Sequence, residues 1–166
     1  MEQSTAEKNK EIASLLSNDL SRLLREFSRD FERRISLALN ARGYQDIRPS
    51  HSAVFANLGT GAVRVTELAE HAQVTQQAMG KMLKELERMG YVARDVDSGD
   101  KRAKVIRLTQ LGEKLAADIV AVVADTRSYY AQKIGSQELE NLEVTLRKAV
   151  DKLELGYLPS AWVTLA

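Results

Sequence analysis

Apolar positions recur at helical spacing at both ends of the chain and change rhythm in the middle. From about Glu7 to Leu39, Ile12, Leu16, Leu20, Leu23, Phe27, Phe31, Ile35 and Ala38 follow at steps of three or four, which predicts one long amphipathic helix. Neither Gly nor Pro interrupts it before Gly43 and Pro49, which punctuate its end. A second stripe, Leu111, Leu115, Ile119, Val122 or Val123, Thr126 and Tyr130, ends near Gly135. Ser136 then predicts an N-cap, with Glu138 in the first turn and Leu139, Leu142, Leu146, Val150 and Leu153 as a third stripe. A first helix of this length finds few partners inside its own chain. The pattern therefore predicts a homodimer built from both ends, with a monomeric bundle as the alternative.

The middle reads differently. A short helix follows Pro49, from Ser50 to about Asn57, and Gly59 and Gly61 break the chain. Thr66 is expected to cap a helix over Glu67–His71, with Leu68 and Ala69 facing inward. Ala72–Thr75 make the turn, with Val74 as its buried pivot. Thr75 caps a second helix, Gln76–Met89, which Gly90 ends as the C′ residue. Tyr91–Asp95 reads as a short strand, Asp97-Ser98-Gly99-Asp100 as a turn, and Lys104–Leu108 as the returning strand. Helix, turn, helix and two-stranded hairpin give a mainly α fold with a small β-hairpin wing. This is a winged helix-turn-helix with N- and C-terminal dimerisation helices, dividing the chain at 1–47, 48–110 and 111–166.

On a helical wheel of Gln76–Met89, Ala78, Met79, Met82, Leu83, Leu86 and Met89 share one arc, and Gln77, Gly80, Lys81, Lys84 and Arg88 the opposite one. With Gln76, this supplies amides, a glycine and lysines near a helix N-terminus. Gln bonds adenine bidentately, Lys reaches guanine or phosphate, and Gly lets backbones approach. An ordinary solvated face is the alternative. Just beyond the hairpin turn stand Asp100, Lys101 and Arg102, with Lys104 and Arg107 on the return strand. A guanidinium on a projecting hairpin suits a narrow minor groove. Asp100 cannot face DNA without cost, so its expected role is to orient Arg102 or Arg94.

Composition narrows the classes further. A chain of 166 residues buries about 70% of its unfolded surface and needs no staples. Cysteine is absent, which removes disulfides, thiol nucleophiles and thiolate metal sites. His51 and His71 are the only histidines, too few for a histidine-built metal site, so no metal or cofactor is expected. No apolar run approaches the ~20 residues of a membrane span, and Met1–Lys10 is polar, so a soluble cytoplasmic protein without membrane partners is expected. Phosphate-loop, nucleophile-elbow and His-Glu-x-x-His patterns are missing, so an enzyme is not expected. The net charge of +1 is unevenly spread: between Arg48 and Gly112 ten Lys/Arg face seven Asp/Glu, while the flanks carry a net −2.

The chain resembles the MarR family of bacterial transcription regulators. The resemblance rests on Val65-Thr66-Glu67-Leu68-Ala69, on Val74-Thr75-Gln76-Gln77, and on the run from Leu83-Lys84-Glu85-Leu86 through Gly90-Tyr91-Val92-Ala93-Arg94. The wing Asp100-Lys101-Arg102-Ala103-Lys104 and Leu108-Thr109-Gln110-Leu111-Gly112 complete it. The ordered set is strong from Arg64 to Gly112 and architectural elsewhere. It implies a homodimeric, sequence-specific DNA-binding regulator, a repressor, on a pseudo-palindromic operator with half-sites about one turn apart. Thr75–Met89 would be the recognition helix and Arg102 the minor-groove arginine, oriented by Asp100. Ser50, Arg64, Thr75 and Lys101 would hold phosphates, with Gln77, Lys81 and Lys84 nearest the bases. Family members commonly release DNA on binding a small, often aromatic and anionic effector. A pocket for one would draw on Phe31, Ile35, His51, Phe55 and Tyr129 or Tyr130, unless these are ordinary core residues. The alternative function is a winged-helix module that binds protein rather than DNA.

Overall fold

The computed structural model describes residues 5–59, 61–96 and 104–158. Its helices are α1 (Thr5–Asn18), α2 (Leu20–Ala41), α3 (Ser52–Leu58), α4 (Val65–His71), α5 (Gln76–Arg88), α6 (Gln110–Ile134) and α7 (Ser136–Lys152). A 3-10 turn over Pro49–His51 leads into α3, and the strands are β1 (Val63–Arg64), β2 (Val92–Val96) and β3 (Lys104–Leu108). The mainly helical winged architecture expected from the sequence is present.

Several local readings need correction. The long first helix is two helices. Asp19 adopts extended backbone and its carboxylate accepts the Arg22 N–H at 3.0 Å, which restarts the helix, while the Ser17 hydroxyl donates back to the Ala13 carbonyl. Thr66 does not cap α4. The helix begins at Val65, two residues earlier than expected, and the Glu67 carboxylate accepts the N–H of Arg64, the true N-cap residue, at 3.2 Å. Ser136 is likewise inside its helix, because Gly135 takes the N-cap position. The hairpin also gains a strand. β1 pairs antiparallel with β3, Val63 opposite Ile106 and Arg64 opposite Val105, giving the order β1-β3-β2.

Other readings hold. The Thr75 hydroxyl accepts the Ala78 N–H at 3.1 Å, capping α5. At its other end Gly90 takes φ +81°, where L side chains are strained, and Tyr91 N–H reaches back to the Leu86 carbonyl at 2.9 Å. The turn from α4 into α5 closes the same way, with Val74 N–H on the Ala69 carbonyl at 3.0 Å. Here the left-handed position is filled by Gln73, whose side-chain amide bonds the Glu70 carbonyl at 2.8 Å.

The core sits where α3, α4 and α5 pack on the sheet: Val54, Leu58, Leu68, Met79, Leu83, Leu86 and Ile106 are essentially inaccessible. It continues into the α2–α6 layer through Leu39, Leu115 and Val122. The junction between wing and α6 is close. The Thr109 hydroxyl donates to the Gly90 carbonyl at 2.6 Å and accepts Gly112 N–H at 3.1 Å, and the helix passes against the Tyr91 backbone at Gly112. Farther along, Asp30 on α2 accepts from Tyr130 Oη at 2.6 Å, Arg34 Nε at 2.7 Å and Arg33 at 2.8 Å.

Those donors, Tyr130 first, hold the Asp30 carboxyl well below the usual carboxylate range. A depressed folded value means the stabilisation is complete above about pH 4 and is lost as pH falls from there toward the folded value. Asp30→Asn is therefore expected to lower the melting temperature at neutral pH. The gap from wild type should narrow in acid, which a series of thermal melts from neutral pH downward would read.

Large apolar side chains also remain uncovered. Ile12, Leu15, Leu16, Leu20 and Leu23 are each more than half exposed on α1–α2, and so are Val120 on α6 and Leu153 just past α7. Of the expected α7 stripe only Leu139 is buried. Among the described residues no helix is long and apolar enough to cross a membrane.

Candidate nucleic-acid interface

The polar arc predicted on α5 is formed. Thr75, Gln77, Ala78, Gly80, Lys81 and Lys84 line one shallow concavity along the outer side of the helix. Ala78, expected in the core arc, is exposed and lines this concavity instead. Met79, Leu83 and Leu86 anchor the opposite side. Gln76, Gln77, Lys81 and Lys84 are exposed, and Ser50 is exposed on the 3-10 turn. The N-terminus of α5 adds its unpaired N–H groups and partial positive charge to the same surface.

Carboxylates border this arc on both sides, and both are tied. Glu85 bonds His51 Nε2 at 3.1 Å and lies 3.5 Å from the Arg48 guanidinium. His51 first, and Arg48 and Lys81 by charge, hold its carboxyl below the ordinary range. Glu87 pairs with Arg94 Nε at 3.0 Å. Arg94, expected at the nucleic acid, is thus engaged at the base of the wing. It is half-buried, and its Nη2 is enclosed by protein. Arg64 lies in β1, half-buried, beside β3. Lys104 is exposed at the start of β3, opposite Val96, and Arg107 pairs with Asp95 across the ladder. Asp100, Lys101 and Arg102, with the expected wing-tip pairing, lie outside the described residues.

Only part of the expected effector pocket is brought together. A cavity of about 480 Å³ lies between α2, the start of α3 and α6. Ile35 and Phe55 line it, together with Leu39, Ile119 and Val123, which sequence reasoning missed, and the exposed Arg48 adds a cation. The other expected members stand outside that lining. Phe31 stacks on Tyr130 with centroids 5.8 Å apart, and Tyr129 lies beneath the Arg34 guanidinium at 3.8 Å. His51 is buried on the far side of the 3-10 turn, facing α5. Among the described residues no group of His, Asp and Glu could hold a metal ion.

Residues 45–103 match the sequence model of the MarR family. Solved structures share the fold over about four fifths of the chain. The reduced form of MarR from E. coli is 22% identical, covering 80% of this chain and 96% of its own, with a TM-score of 0.70. MepR, a transcription regulator of the Staphylococcus aureus multidrug efflux pump MepA, is 22% identical over 82% of this chain and 99% of its own, at a TM-score of 0.62. A probable transcriptional regulator from Pseudomonas aeruginosa is 18% identical over 81% and 98%, at 0.66. At these identities the likeness speaks for the fold, and the family match includes α3, α4, α5 and β2. Over residues 45–103, which carry the helix-turn-helix, the chain is similar to the MarR family.

Proposed function

We propose that this protein is a sequence-specific DNA-binding transcriptional regulator, a repressor, that works as a homodimer on a pseudo-palindromic operator. The observation that carries the reading is the α5 concavity, where amides and lysines project together from a helix N-terminus. That is the donor set for base edges and phosphates in a major groove. Residues 1–47 and 111–166 form the dimer in this reading, supported by the uncovered apolar side chains of α1, α2 and α6. The cavity beside Ile35 and Phe55 is the effector site. Its volume lies in the range of small-molecule pockets, and its largely apolar walls, with Arg48 and Glu32 among the lining residues, suit a small aromatic molecule.

Selection from a random duplex pool at about 150 mM salt tests the reading. Enrichment of a two-fold symmetric motif, with half-sites about ten base pairs apart, is expected. Retention without a motif would reduce the protein to a nonspecific binder, and no retention would favour a protein-binding module. Repeating the selection with Lys81→Ala should relax preference at one or two positions per half-site, by about 1–3 kcal/mol if a base contact is lost. A uniform loss across all sequences would make Lys81 a phosphate contact.

A further inference from the structure

Among the described residues of the DNA-binding lobe, His51 is the most enclosed polar side chain, at 1% exposure, and both its ring nitrogens are used. Nδ1 accepts the Arg48 N–H at 3.2 Å, so the proton sits on Nε2, which donates to Glu85 Oε2 at 3.1 Å. The ring therefore bridges the 3-10 turn after α2 and the recognition helix, 34 residues later in the chain. Glu85 follows Lys81 by four residues and Lys84 by one, so its carboxylate borders the cationic arc directly. Unheld, that carboxylate could swing toward a bound phosphate, and like charges brought together at an interface are strongly unfavourable.

We propose that His51 is a positioning residue for DNA recognition: it holds the Glu85 carboxylate back from the α5 concavity, keeping the face formed by Lys81 and Lys84 open to the anionic duplex. Arg48 shares the task through the same oxygen. Arg94 does the equivalent for Glu87 on the opposite border. The acids flanking the arc are in this way kept off the DNA by groups outside the helix. This inference rests on the DNA-binding reading.

The test is a double-mutant cycle on affinity for the selected duplex, using His51→Leu, Glu85→Gln and the double variant, with thermal melts of each. His51→Leu alone should weaken binding at least tenfold, because the freed carboxylate meets phosphate. In the Glu85→Gln background, where no charge remains to restrain, the same change should cost little. A His51 that only packs the lobe would cost the same in both backgrounds, and that result overturns the proposal. Should His51→Leu fail to fold, Glu85→Gln against Glu85→Asp gives a second reading. The shorter acid, freed from His51 but still charged, should bind DNA worse than the amide, and equal binding overturns the proposal. If the unmodified protein binds no duplex, the DNA-binding reading falls and this proposal with it. If it binds and the cycle shows no coupling, only this proposal falls.

Discussion

Gly112→Ala is expected to destabilise the protein by about 3 kcal/mol or more, enough to unfold a marginally stable domain. Gly112 is buried in the first turn of α6. A Cβ there would overlap the Tyr91 carbonyl oxygen and stand 3.0 Å from its carbon and 3.2 Å from a Leu108 methyl. The obstacle is backbone on one side and core on the other, so no flexible side chain can yield. Relief requires prising α6 from the end of α5, which breaks the bonds of Thr109 to Gly90 and Gly112. Denaturant titration followed by circular dichroism would measure it. Gly61→Ala, with nothing within 4 Å of the added carbon, is the matched control and should change little.

The second large effect is on binding. If the dimer neutralises six or more phosphates, raising salt from about 50 to 200 mM should weaken operator affinity about 10³-fold. Each copy brings the exposed Lys81, Lys84 and Lys104 to the proposed interface, so that number is within reach. Lys84→Ala, at an exposed position, should flatten the slope of log affinity against log salt by about one unit per protomer. Fluorescence anisotropy with a labelled duplex would give both slopes. A protein-binding module built on apolar contacts would give a nearly flat line.

The helix α5 was readable in the sequence because everything that defines it is local. Thr75 lies three residues from the N–H it accepts, Gly90 stands where a left-handed residue must end the helix, and Gln77, Lys81 and Lys84 share an arc by periodicity alone. Readings that depended on other segments fared worse. β1 is two residues long, too short for any alternation, and exists because β3 offers it an edge. The break at Asp19 hides inside an unbroken series of apolar steps; only the polar trio Ser17-Asn18-Asp19 marks it. The pairing of Arg94 with Glu87 was not legible because it runs from strand to helix, seven residues apart. His51 looked like a pocket residue because nothing near it in sequence announces Glu85. The cavity walls come from α2, α3 and α6, so two expected members fell into place while Leu39, Ile119 and Val123 went unnoticed.

The closeness of α6 to the wing has a mechanical consequence. Twenty-five residues of helix make a rod roughly 37 Å long, bolted at one end to the Gly90–Tyr91 backbone through Thr109 and Gly112. A tilt of about 10° around its midpoint would carry the bolted end roughly 3 Å, close to the rise of one base pair. The rod works as a lever whose far end lies beside α7, among the residues proposed to meet a second copy. In the proposed dimer, how two copies settle there would set the phase in which their wings meet the double helix.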